Sequence, residues 1–294
     1  MTNFKQIKNG TISTPKGFSA DGIFCGLKPA GEGKLDLGII LSDDDCNWAA
    51  TYTKNNIKSA SIDYCKEIKG RIKGIIVNSG SANCCVGDQG LADARKIALL
   101  AKEKYQSKAP FLVSSTGVIG VEIPVGLIEK EINNFEPSEV GGEKFSRAII
   151  TTDSKTKNIC VEVKTSKGKF KVGGVAKGSG MIHPRMGTML GYITTDASVD
   201  SKILTDTLRE SVDVSFNQID IDGDTSTNDT VVIMANGMSG QEINNESDKQ
   251  IFSEAIEYVS KFLAKLIAED GEGISHLITS EVVGATNDED ALKI

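Results

Sequence analysis

Aromatic residues make up only 5% of this 294-residue chain, and it has just two histidines, His183 and His276. Glycine, in contrast, contributes 30 residues. Few aromatics beside abundant glycine favour an α/β protein with tight backbone turns over an all-β sandwich. With 39% apolar residues, the chain can bury a sizeable core in one large domain or two smaller ones.

The six cysteines lack the spacing of a metal site, since no two of them form a CxxC pair. With so few histidines we expect no zinc site. The first six residues contain no apolar stretch of the secretory kind. We therefore expect free, buried thiols in a cytoplasmic protein. The cysteines occupy positions 25, 46, 65, 84, 85 and 160.

Two classes of partner are disfavoured by charge and hydropathy. The net charge is −7, and the lysines and arginines are scattered rather than grouped in a basic block. An acidic chain has no electrostatic reason to bind nucleic acid or an anionic membrane. No apolar run approaches the roughly 20 residues that span a bilayer.

Periodicity predicts alternating strands and helices. We expect a helix from about residue 251 to 267, started by Ser247 and Asp248 as the N-cap pair and ended near 270–271. The strand predicted at 111–114 is expected to end in a turn at 115–117. Further helices are predicted at 90–101 and 201–214. The strands at 159–163 and 170–176 are predicted to form a hairpin. Strands are predicted at 35–41, 72–77, 111–114, 159–163, 170–176 and 189–194.

The densest chemical signal is KGSGMIHPRMGTML, residues 177–190. A threonine hydroxyl is a weak nucleophile that needs a base. If the Gly187–Thr188 bond were cut, Thr188 would gain an α-amine with an unperturbed pKa of roughly 8, able to take the hydroxyl proton. Gly187 would favour such a cut because its carbonyl is easily approached.

Three simpler interpretations compete with this one. Thr188 can be an ordinary strand residue, and 177–180 an ordinary glycine-rich turn rather than a phosphate loop, since the GxxxxGK[ST] order is absent. Asp220, Asp222 and Asp224 have the spacing of a calcium loop, but its later glycine and glutamate are missing, so a turn capped by Asp and Thr side chains is favoured.

The segment 177–190 resembles the KGSGMIxPxMATML signature of the ornithine acetyltransferases, which are also called glutamate N-acetyltransferases. Other stretches are similar to motifs of that family and occur in the same order along most of the chain. They are NSGSAN (78–83) with GDQG (87–90), STGVIG (115–120), TTD (151–153), DGDTSTND (222–229) and EDGEG (269–273).

The resemblance implies roles for individual residues. Thr188 would be the nucleophile, freed by autocatalytic cleavage after Gly187, which divides the chain into an α chain (1–187) and a β chain (188–294). Thr116 and Gly117 would form the oxyanion hole. Lys177, Glu272 and either Thr151 or Thr152 would contact substrate. The alternative for Thr116 and Gly117 is a plain turn. The alternative for Lys177 and Glu272 is an ordinary solvated surface charge.

The resemblance also implies the fold and the reaction. The fold would be α/β, a layered sandwich of sheets and helices like that of N-terminal-nucleophile proteins. The reaction would be ping-pong acetyl transfer from N2-acetylornithine to glutamate in the cyclic pathway of arginine biosynthesis, with no metal or organic cofactor. The α and β chains would assemble as a heterotetramer, and use of acetyl-CoA as a donor stays open.

The chain departs from the family pattern at four places, one of which is Ser81 in place of an Asn. Arg185 stands where the family usually has Asn, and Gly187 where it has Ala. Family members also continue beyond the position of Ile294, so we expect a truncated chain. Two alternatives follow: a non-catalytic binding or assembly subunit, and an aminopeptidase or amidase that uses the same threonine with water as acceptor. His183 is expected to be structural rather than a base.

Overall fold

The structure is a computed structural model that describes residues 3–28, 34–183 and 189–291. Within these ranges the strands are β1 (Phe4–Gln6), β2 (Phe18–Ile23), β3 (Leu37–Tyr52), β4 (Ile72–Ser81), β5 (Phe111–Val118), β6 (Lys157–Lys164), β7 (Lys169–Lys177), β8 (Leu190–Thr195) and β9 (Thr230–Ala235). The helices are α1 (Ala60–Glu67), α2 (Gln89–Lys104), α3 (Val125–Glu131), α4 (Gly142–Ile149), α5 (Ser201–Asp213), α6 (Glu246–Ala268) and α7 (Asp288–Ala291).

The long strand β3 links two sheets. Its first half pairs with β2 and β4, and β4 pairs in parallel with β5. After an irregularity between Leu41 and Cys46, its second half pairs with β9, followed in order by β8, β7, β6 and β1. Because a bulge bends a strand and increases its twist, one strand can serve both sheets.

The centre of the larger sheet is the parallel pair of β8 and β9. All six residues of each strand are buried, as expected for strands covered on both faces. Their register pairs Leu190 with Thr230 and Thr195 with Ala235. This register places the chain that precedes β8 beside the chain that precedes β9.

Helix α6 covers one face of the larger sheet. Phe252, Ile256, Val259 and Leu263 have no exposed surface and recur at helical spacing; the helix packs on β6, β7 and α5. Its N-cap is Asn245, whose side chain accepts a hydrogen bond from Asp248 N at 2.9 Å. The predicted Ser247–Asp248 cap was therefore wrong, because an earlier residue has the extended backbone that a cap requires.

The other helices complete a layered α/β sandwich. Helices α1 and α2 pack on each other and on β5, whereas α4 packs on β2, β3 and β4 and reaches β6 and β7. Of the six free cysteines, five are buried and Cys85 is exposed. None of the helices in the described ranges has both the length and the apolar character needed to cross a membrane.

One sequence prediction about a strand end was also wrong. Residues 115–117 do not form a turn, because β5 continues through them to Val118. Thr116 pairs with Ser79 of β4, and Gly117 pairs with Gly80. The polar composition of this stretch is typical of a turn, but the neighbouring parallel strand supplies its hydrogen-bond partners, and tertiary pairing overrides local preference.

A buried ion network joins the start of β6 to the end of α6. Lys157 is fully buried, and its Nζ donates to Asp153 Oδ1 at 2.7 Å and to Asp270 Oδ2 at 2.6 Å. Ser154 donates to Asp270 with both its amide and its hydroxyl. Burial alone would raise the pKa of Asp153 and of Asp270, but the nearby lysine charges hold both values below the ordinary one.

We expect Lys157→Met to lower the free energy of unfolding by about 3–5 kcal/mol, because it leaves two buried carboxylates without a counter-charge. Both carboxyls have depressed pKa values, so the stabilisation they provide is present above about pH 4 and is lost as the pH falls through their folded-state pKa values. Urea unfolding at pH 7 and at a series of pH values below about 4 measures both effects.

The matched control is Lys169→Met, which removes a lysine whose side chain is 56% exposed and pairs with Glu162. A surface ion pair of this kind contributes about 1 kcal/mol or less. Equal losses from the two variants would contradict the structural role of the Lys157 network.

Candidate active site

A cleft of about 1080 Å³ opens where β4, β5 and β7 end and where the chain leaves α4 and α6. Its volume is near the upper end of the range for small-molecule sites, and side chains of both charges line it. The cationic residues are Lys28, Lys34, Lys144, Arg147 and Lys177, and the anionic residues are Asp153, Asp222, Asp224 and Glu272.

Lys177 is the buried cation of the cleft. It is the last residue of β7, only 2% exposed, and its Nζ donates to Thr116 Oγ1 at 3.2 Å and to Thr151 Oγ1 at 3.0 Å. Burial lowers its pKa, which the charges of Asp153, Asp229 and Glu272 oppose. Since both recorded bonds of this ammonium end on hydroxyls rather than carboxylates, it can still attract a carboxylate or an oxyanion.

Thr116 and Gly117 lie together at the end of β5 and line the cleft. Gly117 has a φ of +133°, and a Cβ atom there would lie 2.4 Å from the carbonyl carbon of Gly80. Only glycine therefore allows β5 to approach β4 so closely at this point. The predicted oxyanion pair is brought to the same cleft as Lys177.

Thr151 and Thr152 both line the cleft, but they have different partners. Thr151 accepts the hydrogen bond from Lys177, whereas Thr152 shares a hydrogen bond with Ser179 at 2.8 Å. The structure thus separates two residues that the sequence could not distinguish. Thr151 therefore lies with the buried Lys177, which also donates to Thr116 of the predicted oxyanion pair.

Glu272 also reaches the cleft, through the short segment that follows α6. Its backbone N donates to Ser179 O at 2.6 Å, and its carboxylate lies so close to Gly180 that a Cβ there would be 2.7 Å from Glu272 Cδ. A carboxylate in this position can receive a substrate ammonium. Lys177, Thr151 and Glu272, which are far apart in sequence, thus surround one space.

Asp153 connects these groups and was not singled out from the sequence. It accepts hydrogen bonds from Lys157 Nζ and from Gly178 N, each at 2.7 Å. It therefore fixes the backbone immediately after Lys177. Its place in the TTD stretch, two residues after Thr151, was the one signal that could have identified it.

Two further aspartates hold the chain on both sides of residues 184–188, which lie outside the described residues. Upstream, Asp222 accepts from Met181 N and from Ile182 N, the latter at 2.9 Å. Downstream, Asp229 Oδ1 accepts from Met189 N at 2.8 Å. Both belong to the DGDTSTND stretch, where Asp224 N donates to Asp222 Oδ1 at 3.2 Å, which confirms the aspartate part of the predicted capped turn.

The predicted nucleophile Thr188 and the cleavage residue Gly187, with Arg185, fall within this undescribed range. His183 is described, and its exposed ring lies 3.4 Å from Asp220 Oδ1. Within the part of the chain that the structure describes, no group of three or more His, Cys, Asp or Glu side chains is placed to hold a metal ion.

Comparison with known proteins gives a consistent result. The family model for the ArgJ family matches residues 19–294. The arginine biosynthesis bifunctional protein ArgJ of Bacillus cereus is 45% identical to this chain, in an alignment that covers 100% of this chain and 73% of that protein.

Solved structures resemble the fold. ArgJ from Bacillus halodurans has a TM-score of 0.59 at 36% identity, covering 64% of this chain and 98% of that one. Ornithine acetyltransferase from Mycobacterium tuberculosis, complexed with ornithine, has a TM-score of 0.55 at 27% identity, covering 63% and 99%. An Ochrobactrum anthropi aminopeptidase described as a variant of the Ntn hydrolase fold is 13% identical with a TM-score of 0.56, a likeness of fold alone.

We expect Gly117→Ala to destabilise the protein by about 2–5 kcal/mol, since it combines an unfavourable φ with a backbone clash. Gly120→Ala is the matched control: its φ is +80°, but a Cβ there would have no atom within 4 Å. It should cost only the strain of a left-handed residue, about 1–2 kcal/mol. Denaturant unfolding of both variants tests this, and similar losses would contradict the close approach of β5 to β4.

Proposed function

This chain belongs to the ArgJ family, and we propose that it transfers an acetyl group from N2-acetylornithine to glutamate through an acetyl intermediate on Thr188. It is an acyltransferase of arginine biosynthesis. The observation that carries the substrate assignment is the convergence of Lys177, Thr116 and Thr151 with Glu272 in one cleft.

Maturation of the chain comes first. The Thr188 hydroxyl attacks the carbonyl carbon of Gly187, the bond from that carbon to Thr188 N breaks, and water hydrolyses the resulting ester. The products are a carboxylate at residue 187 and a free α-amine at Thr188. Support comes from the two aspartates that hold the backbone at Ile182 and at Met189, because a cut segment needs both ends fixed near the cleft.

Acetyl transfer then uses the new amine as base. It takes the proton of the Thr188 hydroxyl as Oγ attacks the acetyl carbonyl of N2-acetylornithine. Thr116 and Gly117 donate hydrogen bonds to the oxyanion. The carbon–nitrogen bond of the substrate breaks, and ornithine leaves with the proton. The amine of glutamate attacks the acetyl-threonine in the same way and regenerates the free enzyme.

The charges of the cleft suit both substrates. Glu272 can receive the side-chain ammonium of ornithine, and Lys177 can bind the α-carboxylate that the two substrates share. Glutamate brings a second carboxylate, for which the cleft offers Lys28, Lys144 and Arg147. Arg147 forms an exposed salt bridge with Glu143, which costs little to exchange for a substrate. The side chain of Lys144 is itself exposed and pairs with the buried Asp21 at 3.5 Å.

Cleavage would leave one folded body, since strands from the two sides of the cut pair with each other. Strand β7 pairs with β8, in a register that runs from Val172 opposite Thr195 to Lys177 opposite Leu190. Strand β3 likewise pairs with β9. The two solved ArgJ-type chains cover 64% and 63% of this chain, close to the share of residues 1–187 (187/294 = 64%). We propose a cytoplasmic heterotetramer of two α and two β chains.

The first experiment is intact-mass measurement of the purified protein beside Thr188→Ala. We expect pieces of 187 and 107 residues (294 − 187) from the native chain and a single uncut chain from the variant. Incubation of the cut protein with N2-acetylornithine and glutamate should yield ornithine and N-acetylglutamate, and a parallel assay with acetyl-CoA tests that donor.

Other outcomes would replace the proposal. Release of acetate to water without acetylglutamate would favour the amidase interpretation. An uncut, inactive protein whose binding of N2-acetylornithine persists in Thr188→Ala would favour a non-catalytic subunit.

We expect Thr151→Val to lower kcat/KM for acetyl transfer about tenfold, because loss of one partner of a buried charge costs about 1–3 kcal/mol. Thr152→Val is the matched control; it removes a hydroxyl bonded to Ser179 rather than to Lys177, and its kcat/KM should stay within about threefold of the native value. Steady-state kinetics decide, and a larger loss in Thr152→Val would move the substrate contact to that residue.

A further inference from the structure

The strand that carries the predicted oxyanion pair lies at the edge of its sheet. In the order of the described strands, β5 is last and pairs with β4. The outer side of an edge strand presents backbone groups that need other partners. Because backbone groups alternate between the two sides of a strand with a period of two residues, the carbonyls of Phe111, Val113 and Ser115 point to the same side.

Side chains hold all three of these carbonyls. From α1, which packs on β5, Tyr64 Oη donates to the first carbonyl at 3.0 Å and Cys65 Sγ donates to the second at 3.1 Å. Asn228 Nδ2 donates to the third at 2.7 Å. With Asn228, the series of bonds on the outer side of β5 reaches the residue immediately before Thr116 and Gly117.

Asn228 also binds the chain at the end of β4. Its Nδ2 donates a second bond to Ala82 O at 2.6 Å, and its Oδ1 accepts from Thr227 Oγ1 at 2.6 Å. Asn228 lines the cleft and is only 6% exposed. An asparagine amide has two N–H donors, and two backbone carbonyls take both of them. Since no donor is left for a substrate, a contribution of this amide to the reaction acts through the segments that it holds.

The segment around this asparagine is fastened to the chain that follows β3. Thr53 donates to Ser226 O with its hydroxyl at 2.7 Å and to Asp229 O with its amide at 2.9 Å. Between these two points, Ser59 N donates to Thr227 O at 2.9 Å. The segment is therefore a fixed base for the amide that holds β5.

We propose that Asn228 is a positioning residue for the oxyanion pair, because its amide fixes the peptide bond between Ser115 and Thr116. The carbonyl of that planar peptide accepts from Asn228 and its nitrogen belongs to Thr116, so the bond restricts rotation of the whole peptide plane. By the same alternation, the N–H of Gly117 falls on the outer side of β5. The inference rests on the proposed function, in which Thr116 and Gly117 stabilise the oxyanion.

Two features make the end of β5 depend on such a restraint. Gly117 has no side chain to limit its backbone, and its φ is +133°. Thr116 also receives a hydrogen bond from Lys177 Nζ at 3.2 Å, so a shift of this strand end would move the oxyanion donors and the partner of the buried cation together. Oxyanion donors must be fixed before the reaction, and a misplacement of about 1 Å costs roughly 100-fold in rate.

Asn236 offers a matched control at the opposite end of β9. It is also 6% exposed, and its Nδ2 also donates two bonds to separate segments, to Lys16 O at 3.0 Å and to Ser42 Oγ at 3.1 Å. Its Oδ1 accepts from Met238 N at 3.1 Å. Asn236→Ala therefore reproduces the general cost of removing a buried amide whose two donors are both used.

The experiment compares the native protein with Asn228→Ala and Asn236→Ala. Hydrogen–deuterium exchange, read by mass spectrometry on peptides that cover residues 111–120, measures how firmly β5 is held. We expect exchange there to rise at least about tenfold in Asn228→Ala and to stay within about twofold of native in Asn236→Ala. In steady-state acetyl transfer, kcat should fall at least about tenfold in Asn228→Ala with KM within about twofold, and neither constant should change by more than about twofold in Asn236→Ala.

A double-mutant cycle tests whether Asn228 acts through the oxyanion pair. The partner substitution is Thr116→Val, which removes the hydroxyl of the predicted donor. If Asn228 positions Thr116, the combined variant should lose little more kcat than the worse of the two single variants. Losses that multiply would mean that the two residues act independently, and would overturn the inference.

The inference requires both faster exchange and a lower kcat in Asn228→Ala. A native kcat, native exchange at residues 111–120, or equal losses in Asn236→Ala would each overturn it. If Asn228→Ala does not fold, Asn228→Ser replaces it, since serine is small and keeps one of the two donors. Native kcat with native exchange in Asn228→Ser would overturn the inference, and a lower kcat with faster exchange would support it.

Failure of the proposed function is distinguishable from failure of this inference. A native protein that transfers no acetyl group defeats the proposed function, and the exchange measurement alone then decides whether Asn228 holds β5. A native protein that transfers acetyl, beside an equally active Asn228→Ala variant, defeats the inference and leaves the proposed function intact.

Discussion

The buried ammonium of Lys157 fixes the geometry on which the candidate site depends. A charge in so dry a place is tolerable only when it is fully paired, and its two partners lie in separate parts of the chain, at Asp153 and Asp270. Each partner is within two residues of a cleft residue, Thr151 in one case and Glu272 in the other. The demand for charge compensation therefore holds two loops that line the cleft in one place.

A second constraint is the parallel register of β8 and β9. Parallel strands cannot be joined by a tight turn, so a long connection, including α5, separates them in sequence while their starts lie side by side. This register places residues 222–229 next to the residues on either side of 184–188, so that Asp222 binds Ile182 N and Asp229 binds Met189 N. The same sheet explains how two chains would stay together after a cut, because strands from both sides of it are interleaved.

The charged side chains of the cleft differ in burial between its inner end and its rim. Lys177 and Asp229 are almost fully buried, and burial shifts the pKa of each toward its neutral form. Arg147 lies at the exposed rim, where its ion pair with Glu143 costs little to exchange, and the exposed side chain of Lys144 pairs with the buried Asp21. Inner groups of this kind suit the reacting atoms, whereas the outer charges suit recognition of substrate side chains.

The sequence by itself determined the regular elements, the family motifs and their order, because apolar periodicity and helix preference are local properties. The hairpin of β6 and β7 and the stripe of α6 follow directly from it. Only the tertiary structure decided that Thr116 lies in a strand, that Thr151 rather than Thr152 partners Lys177, and that Asp153 and Asp229 belong to the site. These facts depend on pairing and burial between residues far apart in the chain, which no local pattern encodes.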